Sequence, residues 1–444
     1  MLLRLILLIQ IFYTVYQNHF PVETGITAIN LPNALFLVSM FLVLVSPKVP
    51  AFVNQHHKAI LLPSLVFFFA TLVLAFIIAE MRAPQDMMAD IIYLKTALFS
   101  PLLYFLYLRC GQDLKNTRFL IIAVMVVASV AAVQAIRQGL DYGIGTFYES
   151  HRASGPFGSN YASANRAGVF YAMFLPMFIA MALFFRKQPV WRIAALTGIG
   201  LLGMAVMVTY SRQSYFIAVL GLALLLLRRN IVMAVLIGAT LVSFASYLPD
   251  SVFERVQETR QKDTVGNVEG VDESTSSRWE IWAGAMAAWQ ANPAGVGLNR
   301  FKSEIGKYSA YVERDAHNFY VLTLTECGPQ GLLGLLLVFR ALFQAAKFMR
   351  KSAPPDNSEA RALAYGFTIT TLCLGVGNFY GSPFFEGTVI GDYWILAGLL
   401  ERYFVLLNAG TEPVVETAVV ARPDPFARFP LAARTLPGPR KWPT

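Results

Sequence analysis

The sequence predicts an all-α, polytopic membrane protein with about 12 transmembrane helices. Hydrophobic residues make up 56% of its 444 positions and charged residues only 14%, which is more apolar surface than a water-soluble domain can bury. Apolar runs of about the length that crosses a bilayer recur along the whole chain. We expect spans near residues 2–17, 31–46, 60–80, 91–108, 119–137, 166–185, 193–209, 213–227, 231–248, 321–340, 362–380 and 388–406.

The basic residues predict the orientation of these spans. Lysine and arginine concentrate in alternate short loops, such as the one with Arg186, Lys187 and Arg192. By the positive-inside rule these loops are cytoplasmic, and with 12 spans both termini are cytoplasmic too. The formal net charge of +9 is therefore a topology signal, and no nucleic-acid partner is expected. The three cysteines follow neither a disulfide framework nor a zinc-binding spacing.

Four regions follow from this topology. Residues 1–248 would hold the first nine spans with an outer loop at 138–165, and residues 249–320 would form a large outer loop with a surface helix near 277–291. Residues 321–406 would hold the last three spans. The tail, 407–444, is rich in proline, alanine and arginine without an apolar period, so we expect it to be cytoplasmic and disordered.

Polar residues that could carry chemistry form four groups on the outer side. In the loop 138–165 and just after it, glycine, serine and asparagine indicate a shaped turn region. A tight turn between two apolar runs forms the second group. Arg212 lies in this turn, and an arginine between apolar runs is costly unless it meets an anion or water. The alternative is that its side chain reaches toward lipid headgroups. The candidates in these two groups are Arg152, Asn160, Asn165, Arg166, Ser211 and Arg212.

The third group opens the expected surface helix. Ser277 and Glu280 fit a capping box, which would put Arg278 in the first turn, where the helix dipole favours an anion. A bound phosphate would neutralise that arginine, and pairing with Asp272 or Glu273 is the alternative. Four large apolar residues at helical spacing predict that the helix lies on the membrane surface; they are Trp279, Trp282, Met286 and Trp289.

The fourth group, His317 with Asn318, lies where the chain re-enters the membrane. Histidine has the right pKa for a general base near neutrality, although a hydrogen-bonded structural histidine is the alternative. Glu313 and Asp315 could join it as ligands of a hard cation. These carboxylates flank Arg314 in a charged stretch, so we expect no metal there.

Together these groups predict transfer of a group from a lipid-diphosphate donor. Arginine can bind phosphate oxygens bidentately and stabilise a departing diphosphate without a metal. A secondary transporter is the main alternative from another class. It would place more ionisable residues near mid-membrane and show related halves.

Several of these residues resemble the O-antigen ligase and polymerase superfamily. The resemblance covers roughly residues 155–340 and includes Asn165, Gly168, Pro176, Ser211-Arg212, Ser277-Arg278, Trp282, the run 292–297, Ala316-His317-Asn318, Glu326 and Gly328. It implies a GT-C type glycosyltransferase of the bacterial inner membrane with a periplasmic active site. Such enzymes take glycan from undecaprenyl diphosphate without metal or cofactor. Ligases attach it to a sugar of the lipid A core, whereas polymerases extend another lipid-linked glycan.

The resemblance also implies roles for single residues. Arg212 and Arg278 would hold the diphosphate, and His317 would activate the acceptor hydroxyl for an inverting displacement. Asn318 and an asparagine at 160 or 165 would support them. Gln213 departs from the family, in which a small residue often follows the arginine. The likeness around His317 favours a ligase, with a polymerase as the alternative.

Overall fold

The computed structural model describes residues 2–20, 23–26, 29–143, 148, 150–158, 161–229, 260–262, 268–271 and 273–411. The helices among them are α1 (Leu2–Tyr16), α2 (Leu31–Val45), α3 (Pro50–Val53), α4 (Leu62–Arg82), α5 (Met87–Leu108), α6 (Leu114–Tyr142), α7 (Tyr161–Phe184), α8 (Pro189–Val208), α9 (Arg212–Arg229), α10 (Glu273–Ala291), α11 (Phe301–Ile305), α12 (Phe319–Ser352), α13 (Ser358–Gly377) and α14 (Gly387–Thr411).

Strands are few in the described part of the chain. Glu23–Ile26 pairs antiparallel with Ile29–Asn30, and Arg260–Lys262 pairs antiparallel with Val268–Val271. The protein is therefore helical, as the sequence predicts. The span expected near 231–248, the tail from residue 412 and Asn160 lie outside the described residues.

Seven of the described helices are long and apolar enough to cross a membrane, namely α4 to α8, α12 and α13. This confirms a polytopic membrane protein, while the number of 12 spans stays a prediction. Two helices exceed the apolar runs that predicted them: α6 begins at Leu114 after its cap Asp113, and α12 continues to Ser352. A helix can continue through polar residues beyond the membrane, so the apolar run marks only its central part.

Among these seven helices, α7 is the most enclosed. In its apolar window 83% of the residues are buried, against 28% in α8 and 33% in α4, so α7 is central and the other two lie at the periphery. Small residues allow neighbouring helices to approach α7 closely. A Cβ on Gly198 would lie 2.2 Å from Phe178, and one on Gly221 would lie 2.9 Å from Pro176. All three cysteines of the chain are buried and free.

A break in α12 creates the attachment point for the segment before it. Gly328 has a φ of +69°, and the proline that follows it has no N–H to donate. The carbonyls of Thr325 and Glu326 instead accept hydrogen bonds from Val296 (2.8 Å) and Gly297 (3.1 Å). We call residues 292–300 the connecting strap, since they join α10 to α11 along this break.

Two glycines let the connecting strap pass between α4 and α12. Gly295 and Gly297 have φ values of +99° and +108°, in the region that favours glycine. A Cβ on Gly295 would lie 2.3 Å from the Glu326 carbonyl oxygen, and one on Gly297 would lie 2.6 Å from the Ala79 Cα. Both the backbone conformation and the available space therefore require glycine.

A buried ion pair fixes the end of the connecting strap. Arg300 is fully buried and donates both terminal nitrogens to Asp90, at 2.8 and 2.5 Å. Its third donor binds the Ala83 carbonyl at 2.7 Å, while Glu80 and Asn299 complete the network. Because the Arg300 guanidinium is paired on all sides, its burial is compatible with a stable fold.

We expect Asp90→Ala to destabilise the protein by about 3 kcal/mol or more, because it leaves the Arg300 charge buried without its main partner. Thermal or SDS-induced unfolding of the purified protein in detergent measures this change. Lys307→Gln is the control, since it removes an exposed pair with Glu304 and should leave the transition in place. A parent-like Asp90→Ala variant would contradict the role given to this ion pair.

Candidate active site

The turn before α12 consists of Ala316, His317 and Asn318. The carbonyl of Ala316 accepts the Trp282 indole N–H at 2.7 Å. His317 adopts the left-handed region with a φ of +47°, which histidine tolerates better than most residues. Asn318 caps α12, because its side-chain oxygen accepts the N–H groups of residues 320 and 321 at 3.0 and 3.2 Å. The two neighbours of His317 therefore fix its position.

The surroundings of His317 favour a neutral imidazole. The side chain is partly exposed, yet desolvation by the protein around it lowers its pKa from the usual value, and the positive charge of Arg278 lowers that pKa further. Asp315 opposes the shift, whereas Lys302 adds to it. At neutral pH the ring can therefore accept a proton, as a general base must.

Helix α10 begins at Glu273, four residues before the predicted start. Ser277 lies inside the helix, so the predicted capping box is wrong, and Arg278 lies beyond the first turn. Arg278 is therefore not at the positive end of the helix dipole, where an anion would be favoured.

Arg278 is instead placed against an aromatic ring. Its guanidinium carbon lies 5.8 Å from the centroid of the Tyr380 ring, within cation–π range. Tyr380 also packs against Trp282, with ring centroids 6.2 Å apart. Arg278 also acts electrostatically on His317, while the roles of the two residues stay a prediction.

The face of α10 that packs on the bundle differs from the tryptophan face. Ile281, Ala285 and Ala288 are buried at helical spacing, whereas Trp279 is 60% exposed. The Trp279 ring packs edge-to-face against the Trp282 ring, with ring centroids 5.1 Å apart. Small side chains therefore hold α10 to the bundle, and a surface position of the tryptophans at headgroup level stays a prediction.

The loop 378–382, between α13 and the short 3₁₀ helix Pro383–Phe385, connects the parts of the site. The N–H of Phe319 donates to the carbonyls of Asn378 (2.8 Å) and Gly381 (3.1 Å), and Tyr380 from the same loop faces Arg278. Sequence reasoning missed this loop. Its one available signal was an exposed tyrosine between the last two spans.

Arg152 and Asn165 form a second cluster around the turn 209–211. Arg152 is buried and donates to the Thr209 carbonyl at 2.9 Å and to the Asn165 side-chain oxygen. Ser211, also buried, accepts a hydrogen bond from the Ser214 hydroxyl at 2.9 Å. Arg152 therefore supports the turn that leads to Arg212.

Arg212 begins α9 directly after this turn and is half-buried. The next residue, Gln213, donates its side-chain N–H to the Gly377 carbonyl at the end of α13, at 2.5 Å. A small residue in place of Gln213 would lose this bond. Arg212 is thus tied through its neighbour to the end of α13, from which the loop 378–382 leads to Tyr380 and Arg278.

Arg166 forms an ion pair of 2.9 Å with Glu386 at the edge of the site. Desolvation raises the pKa of Glu386, and Arg166 opposes that rise. Asp315 raises it further, so this pair lies near the His317 turn. Asp315 itself pairs with Lys302 at 3.3 Å. Across the described ranges no three histidine, cysteine or carboxylate side chains gather to hold a metal ion.

Residues 197–338 match the family model described as O-antigen ligase. The matched stretch contains Arg212, Arg278 and His317, and it confirms the resemblance to the O-antigen ligase superfamily. A search of curated proteins returned no match.

The pKa of His317 should lie below 6.5, and Arg278→Gln should raise it because the variant removes a neighbouring positive charge. Carbethoxylation rates measured against pH, with mass spectrometry resolving the His317 peptide, give this value in folded protein. Arg192→Gln, which removes an exposed arginine at the far end of α8, should leave the titration unchanged. Identical His317 titrations in the parent and Arg278→Gln would refute the electrostatic coupling.

Proposed function

From the O-antigen ligase match over residues 197–338, we propose that this protein is an O-antigen ligase. It transfers a glycan from undecaprenyl diphosphate to a sugar hydroxyl of the lipid A core, at the periplasmic face of the bacterial inner membrane. The observation that supports the proposal is the environment of His317, where desolvation and the charge of Arg278 both favour the neutral imidazole.

In this proposal His317 activates the acceptor hydroxyl. As the acceptor hydroxyl attacks the anomeric carbon of the donor, the imidazole takes the hydroxyl proton. The bond between that carbon and the diphosphate oxygen breaks in the same step, so the configuration at the carbon inverts. His317 suits this task because its pKa lies below the working pH and its backbone is fixed on both sides.

The departing diphosphate gathers negative charge, which Arg278 and Arg212 would stabilise. A guanidinium offers parallel N–H donors that match phosphate oxygens, and stabilising charge that develops in the transition state lowers the barrier. Tyr380 orients Arg278 through its ring, and Arg152 with Asn165 holds the turn before Arg212. Arg152, Asn165 and Tyr380 are therefore positioning residues.

His317→Asn should lower glycan transfer by about 10²-fold or more, because asparagine tolerates the left-handed backbone but cannot act as the base. Arg278→Gln and Arg212→Gln should each lower it by a similar factor, since each removes a charge from the transition state. The assay uses purified protein, an undecaprenyl-diphosphate-linked glycan and a lipid A core acceptor, with Arg192→Gln as the control. Parent-like rates in His317→Asn and Arg278→Gln would refute the assignment.

The same assay separates a ligase from a polymerase. A ligase forms product only when the lipid A core acceptor is present. Elongation of the lipid-linked glycan in the absence of that acceptor would show a polymerase instead.

Transfer should continue in EDTA, since the two guanidinium groups supply the positive charge that a divalent cation would otherwise provide. Rates before and after chelation, and after magnesium or manganese is added back, test this expectation. Loss of transfer in EDTA with recovery on either metal would contradict it.

A further inference from the structure

A polar cavity lies beside the candidate active site and plays no part in the mechanism above. It has a volume of about 240 Å³ and lies between α1, α2, α5 and the start of α14. Most of its lining consists of amides and hydroxyls, which is unusual between apolar helices. We call it the amide cleft. The polar residues that line it are Gln10, Tyr13, Thr14, Gln17, Asn18, Asn33, Lys95, Thr96, Ser100, Glu386 and Thr388.

Lys95 gives the amide cleft a positive charge. It lies inside the apolar span α5, about 12 Å from the start of that helix. Among the described residues it has neither a hydrogen bond nor an ion pair. Ionisable residues within spans are costly and mark ligand pathways. Lys95 is half-buried and lines the amide cleft.

Two further groups in the wall of the amide cleft lack partners. Gln10 is 3% exposed and Tyr13 is 6% exposed. The side-chain oxygen of Gln10 and the hydroxyl of Tyr13 find no hydrogen-bond partner in the described part of the chain. Buried polar groups without partners are rare and unfavourable. Both residues belong to the wall of the amide cleft.

The amide cleft shares a wall with the candidate active site. Phe385, which lines it, packs edge-on against Phe319, directly after the Asn318 cap, with centroids 4.6 Å apart. Glu386, which also lines it, pairs with Arg166. A molecule in the amide cleft would therefore lie behind the turn that holds His317.

We propose that the amide cleft binds a negatively charged sugar of the acceptor glycolipid headgroup. Amides and hydroxyls suit sugar hydroxyls, and Lys95 suits a phosphate or carboxylate on the same sugar. The volume is below the roughly 300–1,000 Å³ of pockets for drug-sized ligands, so it fits one substituted sugar. The assignment of this sugar to the acceptor rests on the proposed function.

Binding of a phosphorylated lipid A core glycolipid tests the proposal without any transfer reaction. The parent protein in nanodiscs should bind it more tightly than the same glycolipid after dephosphorylation. Lys95→Gln should weaken binding of the phosphorylated form by about tenfold, the loss expected for one charge-assisted hydrogen bond, and Lys95→Arg should retain it. Lys95→Gln should bind undecaprenyl diphosphate as the parent does. Lys115→Gln, an exposed lysine at the other end of the bundle, is the control.

Asn18→Ala provides a second test at an exposed position of the lining, where a folding defect is not expected; it should weaken binding several-fold. Parent-like binding in Lys95→Gln and Asn18→Ala would overturn the proposal, even if transfer is demonstrated. Equal affinity of the parent for both glycolipids would overturn the role of the negative charge. Binding that depends on Lys95 in a protein without transfer activity would support the amide cleft and refute the proposed function.

Discussion

The structure around the candidate active site depends on two carbonyl groups that α12 cannot use itself. The break at Gly328 and the proline after it free the oxygens of Thr325 and Glu326 for the connecting strap. The strap then ends at Arg300, whose buried charge is fixed by Asp90 of α5. The segment that leads to His317 is therefore held to three helices by backbone bonds and one ion pair, and it does not rely on contacts of the histidine ring.

Charge is balanced differently at the two sides of the site. Desolvation lowers the pKa of His317 and the positive charge of Arg278 lowers it further, so both favour the neutral form of this candidate base. At the edge, Asp315 and Glu386 are paired with Lys302 and Arg166. The centre thus keeps a net positive character that suits a diphosphate, while the acidic side chains are compensated at the rim.

Much of the helical fold could be predicted from the sequence, because apolar runs report membrane crossing directly. Short motifs also single out Arg278 and His317 as candidates, and their roles stay a prediction. The start of α10 was not predictable in this way. The capping box at Ser277 is a local pattern, whereas the helix continues back to Glu273. The pair Arg300–Asp90 joins positions 210 apart in the chain, and such contacts leave no periodic signal in one sequence.

The burial of every cysteine has a practical consequence for spectroscopy. Cys110, Cys327 and Cys373 are shielded inside the bundle, so a thiol-reactive label would find no ready native target. A single cysteine placed at the exposed Val312, ahead of the His317 turn, would be labelled selectively. Spin or fluorescent probes at that point could then report movement of the return segment without prior removal of native cysteines.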